Sequence, residues 1–238
     1  MTADVKLLGV LHSQRFLPEI SSKLAGLKNG EKMAMETSPS QNRVFEKVYS
    51  QKPQDRMSTF RALYEKRARN ALDTIKESNA LSKHRKQEII EEFLSRSLPQ
   101  GLFFYGLFEM AKDKGAKIIP LRSEYEASST VRTYLSGLIK GQEPSEWSLK
   151  FAYLNRLSEE KAAGIIAKEL PDFVIMGASH IPRIEPLLNK AKVSHSRFYQ
   201  FEIPETQAQA QRLRQMDEID KLRAARVKRK ATRIIRPK

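Results

Sequence analysis

Cysteine is absent from the 238-residue sequence, and histidine occurs only four times. Without cysteine the chain forms no disulfide and offers no thiolate to a metal ion. Any metal ion must be held by histidine, aspartate, glutamate or water. The search for a metal or acid–base site therefore begins with His12, His84, His180 and His195.

The apolar runs of the sequence are short. The longest ones, such as residues 101–110, are far shorter than the roughly 20 apolar residues of a membrane-spanning helix. The first eleven residues lack the basic start and the small-residue cleavage site of a signal peptide. We therefore expect no membrane span and a cytoplasmic location.

The net charge of +15 is unevenly spread along the chain. Residues 221–238 contain nine Lys or Arg and no acid, which leaves +6 for residues 1–220. The rest of the composition, with 40% hydrophobic and 30% charged residues, is typical of a folded protein. The basic character therefore belongs mainly to a C-terminal tail, and says little about the chemistry of the main domain.

Short apolar segments that end in polar residues predict the strands of a buried sheet. A helix that begins near Pro18 and ends at Asn29 and Gly30 follows the first strand. This β-α-β order normally makes neighbouring parallel strands. We expect an α/β fold with a mostly parallel sheet of about four to six strands flanked by helices. The predicted strands are residues 5–11, 33–35, 116–121, 172–176 and 197–203.

Residues 40–115 have helical periodicity and predict a helical insertion between the second and third strands. We expect Pro99 to end the second of its helices and Gly115 the third. The predicted domain spans residues 1–205, and residues 206–238 form a basic C-terminal helix or a flexible tail. Helices are also expected at residues 129–139, 145–156, 158–170 and 182–188.

Three polar residues follow predicted strands: His12, Glu36 and His180. Both histidines end a GxxH tetrapeptide, in which Gly9 and Gly177 allow a close approach of backbone or ligand. Ligands of open parallel sheets bind at the carboxyl ends of the strands. We therefore expect these three side chains to form one polar site.

Two imidazoles and a carboxylate suit a divalent metal ion such as Mn, Zn or Co. A bound ion lowers the pKa of its water, which provides a hydrolytic nucleophile. Without metal, the same groups can act as a His and Glu acid–base pair. His84, among basic residues, is expected to be exposed, whereas His195 is either a loop residue or a third nitrogen ligand.

Four segments resemble the ordered motifs of the TraB/PrgY and Tiki superfamily, which has ChaN-like and erythromycin-esterase-like relatives. The family is marked by two GxxH motifs with a Glu between them, and these match His12, Glu36 and His180. The resembling segments are GVLHS at residues 9–13, MAMETSPSQNR at 33–43, GAKIIPLR at 115–122 and VIMGASHIPRI at 174–184.

The resemblance implies a metal-dependent hydrolase of peptidase or esterase type, with His12, Glu36 and His180 as metal ligands. Arg43 and Arg122 match family arginines and would join Glu36 as catalytic or substrate-anchoring residues, since guanidinium groups hold carboxylate or phosphate by bidentate contacts. The expected substrate is a small molecule or a peptide. The sequence departs from the family at Arg183, where a glycine is usual.

Two other functions fit the sequence. The first is a binding module that recognises a small anionic ligand or peptide without turnover and whose basic tail attaches the protein to RNA or DNA through phosphate contacts. The second is a scaffold that acts through its helical insertion. The candidate nucleic-acid-binding residues are Lys221, Arg223, Arg226, Lys228, Arg229, Lys230 and Arg233.

Overall fold

The computed structural model describes residues 4–141 and 144–200, with the backbone alone for 144–155 and 200. Its five strands form one parallel sheet in the order β3-β2-β4-β1-β5. This arrangement confirms the predicted α/β fold. The strands are β1 (Val5–Val10), β2 (Lys32–Met35), β3 (Lys117–Pro120), β4 (Phe173–Gly177) and β5 (His195–Gln200).

Seven α-helices lie in the described residues, and they flank the sheet. Short 3-10 helices occur at Gln14–Phe16, Pro53–Asp55 and Lys76–Ala80. The α-helices are α1 (Leu17–Lys23), α2 (Pro39–Tyr49), α3 (Arg56–Asp73), α4 (Lys83–Asp113), α5 (Glu124–Lys140), α6 (Pro144–Glu169) and α7 (Ile181–Lys190).

The strand order corrects the prediction that β1 and β2 are neighbours. β4 lies between them, since Phe173 pairs with Lys6 of β1 on one side and with Met33 of β2 on the other. Every residue of β4 is buried, as expected for a central parallel strand covered on both faces. β3, which ends at Pro120, lies at an edge, where proline costs fewer ladder hydrogen bonds. The carboxyl end of β4 therefore lies between those of β1 and β2.

Two apolar cores lie on opposite faces of the sheet because successive strand residues point to opposite sides. Leu8 and Val10 of β1 belong to the larger core, which also contains buried residues of α1 to α5. Val5 and Leu7 belong to the smaller core, with buried residues of α6 and α7. The helical insertion therefore stands over one face.

The insertion between β2 and β3 contains α2, α3 and α4, packed around a cluster of aromatic rings. Phe45 of α2 contacts Phe60 of α3 and Phe108 of α4, with ring centroids 6.1 and 5.5 Å apart. The prediction that Pro99 ends a helix is wrong: α4 is 31 residues long and contains Pro99 in its interior. Proline has a helical φ, and buried apolar residues on both sides of Pro99 offset the lost backbone hydrogen bond.

Other predicted boundaries also differ from the structure. The two helices expected at 145–156 and 158–170 form the single helix α6. α5 begins at Glu124 rather than residue 129 because Ser123 and Glu126 form a capping box. β5 begins at His195, and the expected strand residues 201–203, the 205/206 domain boundary and the basic tail lie outside the described residues.

Among the helices in the described part of the chain, none has the length and apolar character required to cross a membrane.

Candidate metal and acid–base site

The structure brings His12, Glu36 and His180 together at the carboxyl ends of β1, β2 and β4. Nε2 of His12 lies 3.5 Å from Oε2 of Glu36, and Nε2 of His180 lies 3.5 Å from Oε1. The three side chains are between 11% and 16% exposed, so the carboxylate lies between two largely buried rings. This is the constellation that the two GxxH motifs predict.

Backbone contacts fix the carboxylate in place. The N–H of Glu36 donates to the carbonyl of Ile175 in β4, which extends the β2–β4 ladder beyond Met35. The N–H of Gly177 donates to Oε2 of Glu36 at 2.9 Å. The end of β4 therefore holds Glu36 in two ways, through the backbone N–H of Glu36 and through its side-chain oxygen.

Gly177 also provides the space in which the three side chains meet. A Cβ at this position would lie 3.1 Å from Cδ2 of His180, 3.3 Å from Cε1 of His12 and 3.5 Å from Oε2 of Glu36. His180 follows through a tight turn, in which its N–H donates to the Gly177 carbonyl, and it caps the start of α7. The glycine of this GxxH motif thus allows the three side chains to pack together.

Each histidine has a separate partner for its Nδ1 atom. Nδ1 of His180 lies 2.7 Å from Oε1 of Glu159, a 5% exposed carboxylate on α6. Nδ1 of His12 lies 2.8 Å from the side-chain amide nitrogen of Gln100 on α4. With Nδ1 of each ring occupied, the Nε2 atoms of both rings face Glu36. Nε2 of His12 is buried and has no hydrogen-bond partner among the described residues.

The electrostatics keep the carboxylate ionised. Burial alone would raise the pKa of Glu36, but the charges of His180, His12 and Arg122 lower it to about 2. Burial would likewise lower the pKa of His180, but the Glu36 charge and the hydrogen bond with Glu159 outweigh burial and raise it. Burial lowers the pKa of His12, against the attraction of Glu36. The two rings therefore differ in protonation behaviour although they flank one carboxylate.

The helical insertion shields the site from solvent on the His12 side. The ring of Phe104 lies 4.7 Å from the His12 ring and that of Phe103 lies 5.9 Å away, measured between centroids. Both phenylalanines are buried in α4, which also contributes Gln100. α4 thus provides both an apolar wall and a polar partner for His12.

The donor types fit a divalent metal ion. A histidine ligand usually donates its second N–H to a carboxylate or other acceptor, as the Nδ1 of His180 can do to Glu159. Across residues 4–141 and 144–200, however, no three His, Asp or Glu side chains have the spacing of a formed metal centre. The fit rests on donor types and ring partners.

A cavity of about 180 Å³ opens beside Glu36 and is lined from α3, α4 and α5. We call it the arginine pocket, because Arg67, Arg96 and Arg122 line it. Arg122 follows β3, where its N–H donates to the Thr37 carbonyl. Its side chain lies near enough to affect the pKa of Glu36 and both histidines. Arg122 thus lies at the site, as the sequence predicts.

The structure places Arg43 elsewhere. Its side chain is 72% exposed, forms an ion pair with Glu124 at 3.1 Å and is not among the residues that line the arginine pocket. Arg67 of α3 lies in the pocket instead. Sequence reasoning missed Arg67, Gln100 and Glu159, which lie on helices where no motif distinguishes them from surface residues.

The other two histidines, His84 and His195, make their contacts elsewhere in the fold. His84 is exposed as predicted, with a side chain 87% accessible beside Glu88. His195 begins β5, and its Nδ1 contacts the Val193 carbonyl at 2.9 Å. Arg183, the departure from the family pattern, lies 3.4 Å from Oε1 of Glu159. The basic-tail residues from Lys221 to Arg233 are not among the described residues.

No protein-family model matches the chain, and comparison with curated proteins and with solved structures found no similar protein.

Proposed function

We propose that the protein is a metal-dependent hydrolase of the TraB/Tiki type that cleaves an ester or amide bond in a small substrate. The observation that carries the proposal is the convergence of two imidazole Nε2 atoms on one ionised, buried carboxylate at the edge of a parallel sheet. Ligands of open α/β sheets bind at this edge. Two histidines and a glutamate are also the protein ligands of known hydrolytic zinc sites.

His12, Glu36 and His180 would hold the ion, with Mn, Zn and Co as the candidate metals. When bound, such an ion acidifies a water molecule and polarises the bond that is cleaved. Glu159 holds the His180 ring through Nδ1 and so keeps Nε2 directed at the site. The Gln100 side-chain amide contacts Nδ1 of His12 through its nitrogen. For Nε2 of His12 to carry the lone pair that binds metal, the amide would turn so that its oxygen accepts from Nδ1–H.

Other residues would control the substrate and the solvent. Arg122 lies beside the carboxylate and can hold an anionic group of the substrate by charge-assisted hydrogen bonds. Phe103 and Phe104 cover His12 and limit the access of bulk water. An apolar wall of this kind strengthens electrostatic interactions within the site.

The proposal is tested by elemental analysis of the purified, untagged protein together with site variants. We expect about one divalent ion per chain, and loss of that ion in His12→Ala and His180→Ala with an unchanged circular dichroism spectrum. His84→Ala, which removes an exposed histidine from another part of the molecule, should retain the ion.

Hydrolysis is measured in parallel on a panel of small esters and peptides with Mn, Zn or Co added. We expect turnover by the wild type, no turnover by Glu36→Gln, and turnover at the wild-type level by His84→Ala. Unchanged metal content in both His12→Ala and His180→Ala would refute the metal site. Turnover that persists in Glu36→Gln would refute the assigned centre.

A further inference from the structure

The arginine pocket contains positive charge that the described residues do not neutralise. Arg67 makes no hydrogen bond or ion pair with any other residue in the described ranges. The carboxylate that acts on it electrostatically, Glu124, is itself paired with Arg43. Arg122 donates from Nη2 to Thr130 at 2.9 Å, but its Nε is buried without a hydrogen-bond partner among the described residues.

This arrangement costs free energy because neither guanidinium group has a carboxylate partner. Burial lowers the pKa of Arg67, and the like charge of Arg122 lowers it further. Both side chains are half-buried, and partial burial of a charge costs free energy when no opposite charge compensates it. Arg96, the third arginine, differs from these two because Glu92 lies 3.0 Å from it. Two positive charges, those of Arg67 and Arg122, therefore lack a carboxylate partner within 4 Å in the described structure.

The pocket also has an unused neutral donor and an apolar end. Oγ of Ser97 on α4 is buried without a hydrogen-bond partner in the described structure, and Ser97 lines the same cavity. Phe93, Phe104 and Val131 form its apolar lining. A cavity of about 180 Å³ is comparable with engineered cavities of roughly 150 Å³ that hold a benzene-sized molecule. The ligand that fits is therefore small, with an anionic end and an apolar body.

We propose that the arginine pocket binds the phosphoryl group of a small phosphorylated molecule, with Arg67, Arg122 and Ser97 as its donors. A phosphate monoester carries about two negative charges near neutral pH and has three strong acceptor oxygens. These match one hydroxyl and two guanidinium groups that have no carboxylate partner within 4 Å in the described structure, whereas a carboxylate supplies one charge and two oxygens. Glu36 lies on the pocket wall and its charge acts on Arg122, but the described residues show no ion pair within 4 Å between Glu36 and either arginine.

The assignment of this ligand as the substrate rests on the proposed function, because Glu36 lines the pocket and also belongs to the metal and acid–base site. Binding of the ligand does not rest on it. The phosphoryl group would lie in the arginine pocket, beside the Glu36 carboxylate. Its binding to the arginines would position the rest of the substrate at the metal and acid–base site before any bond is cleaved.

The test is calorimetric titration of the full-length protein with phenyl phosphate, benzoate and inorganic phosphate. Phenyl phosphate and benzoate share one ring and differ in their anionic group. We expect phenyl phosphate to bind at least tenfold more tightly than benzoate, and more tightly than inorganic phosphate. Benzoate binding that equals or exceeds that of phenyl phosphate would overturn the phosphoryl assignment, and absence of binding by both phosphates would overturn the site.

Two glutamine variants on the same helix locate the site. Arg67→Gln should weaken phenyl phosphate binding at least tenfold, whereas Arg61→Gln should bind as the wild type does, because Arg61 is 60% exposed and pairs with Glu91. Without ligand, the Tm of Arg67→Gln should equal or exceed that of the wild type, since an uncompensated charge is removed. Wild-type affinity in Arg67→Gln would overturn the proposal.

Failure of this proposal and failure of the proposed hydrolase are distinguished by Glu36→Gln. This variant removes a negative charge from the pocket wall, so it should lose metal and turnover but bind phenyl phosphate at least as tightly as the wild type does. Loss of phenyl phosphate binding in Glu36→Gln together with loss of metal would show that the anion binds to the metal ion, and would overturn the role of the arginines.

Discussion

The backbone N–H of Gly177 donates a 2.9 Å hydrogen bond to Oε2 of Glu36, across 141 residues of sequence. This bond joins the ends of β4 and β2 and places the carboxylate between the two histidines. It depends on the absence of a side chain at Gly177, because a Cβ there would approach both rings and the carboxylate.

Gly177→Ala should therefore disrupt the site more than the fold. The Cβ would lie 3.1 and 3.3 Å from carbon atoms of His180 and His12, so both rings must shift by a few tenths of an ångström. We expect a loss of at least tenfold in metal affinity, with a loss of about 1 kcal/mol in the free energy of unfolding. Urea denaturation and metal titration measure the two quantities.

Gly164→Ala is the matched control for this substitution. Gly164 lies in α6, and a Cβ there meets nothing within 4 Å. Alanine should raise the free energy of unfolding by roughly 0.5–1 kcal/mol, because glycine is unfavourable inside a helix. Metal affinity should not change. Equal metal affinity in the two alanine variants would contradict the role assigned to Gly177.

Glu159→Gln tests the partner of His180. The amide retains the size of the side chain but removes the charge that faces Nδ1 of the ring. Loss of such a partner typically weakens metal binding by about 10–100-fold, and we expect a change in this range at the metal-titration midpoint. Glu160→Gln, an exposed neighbour paired with Arg156, should bind metal as the wild type does. Similar affinities for both variants would argue against a positioning role for Glu159.

The pKa of Glu36, lowered to about 2, predicts how the stability of the metal-free protein depends on pH. A carboxyl group whose pKa is lowered in the folded state stabilises that state above its unfolded pKa of about 4.5. This contribution is lost as the pH falls from about 4.5 to about 2. The wild type should therefore be more stable than Glu36→Gln at pH 6, and the difference should shrink toward pH 2.

Urea denaturation of both proteins at several pH values between 2 and 6 measures this difference. Glu46→Gln is the control, because Glu46 is about half exposed and pairs with Lys112 at the surface. Its difference from the wild type should stay within about 0.5 kcal/mol throughout. A constant difference between the wild type and Glu36→Gln across this range would contradict the lowered pKa.

Much of the fold follows from local patterns in the sequence. Each predicted strand exists, and His12, Glu36 and His180 follow strands because short apolar runs end just before them. The strand order was not predictable in this way. The rule that makes β1 and β2 neighbours considers only consecutive elements. It does not consider β4, which is apolar on both faces and takes the position between them.

The site residues on helices were less accessible to sequence reasoning. Arg67 and Glu159 belong to helices that also carry many surface charges, and only tertiary packing turns these two toward the site. Arg122 was found because it follows a strand directly. Arg43 also follows a strand, but α2 begins at Pro39, and the helix directs its side chain toward Glu124 at the surface.

The rule that proline ends a helix fails at Pro99, which lies inside α4. This position allows a prediction about stability. Proline removes one hydrogen bond of α4 and crowds the preceding turn. Pro99→Ala should raise the free energy of unfolding by about 1 kcal/mol or more, measured as a shift of the urea midpoint at unchanged slope. Ser95→Ala, at an exposed position of the same helix, should stay within about 0.5 kcal/mol of the wild type. An unchanged or lower stability of Pro99→Ala would show that the proline is favourable there.

The position of β4 has a consequence for how the chain is made. β1 and β2 are complete long before their common neighbour, since Phe173 comes 138 residues after Met35. At a synthesis rate of about 5–20 residues per second, both strand edges wait on the order of ten seconds for a partner. Unpaired edges of this kind recruit other chains and promote aggregation. The helical insertion is synthesised in that interval and packs over one face of the sheet, so apolar residues of that face can be covered before β4 arrives.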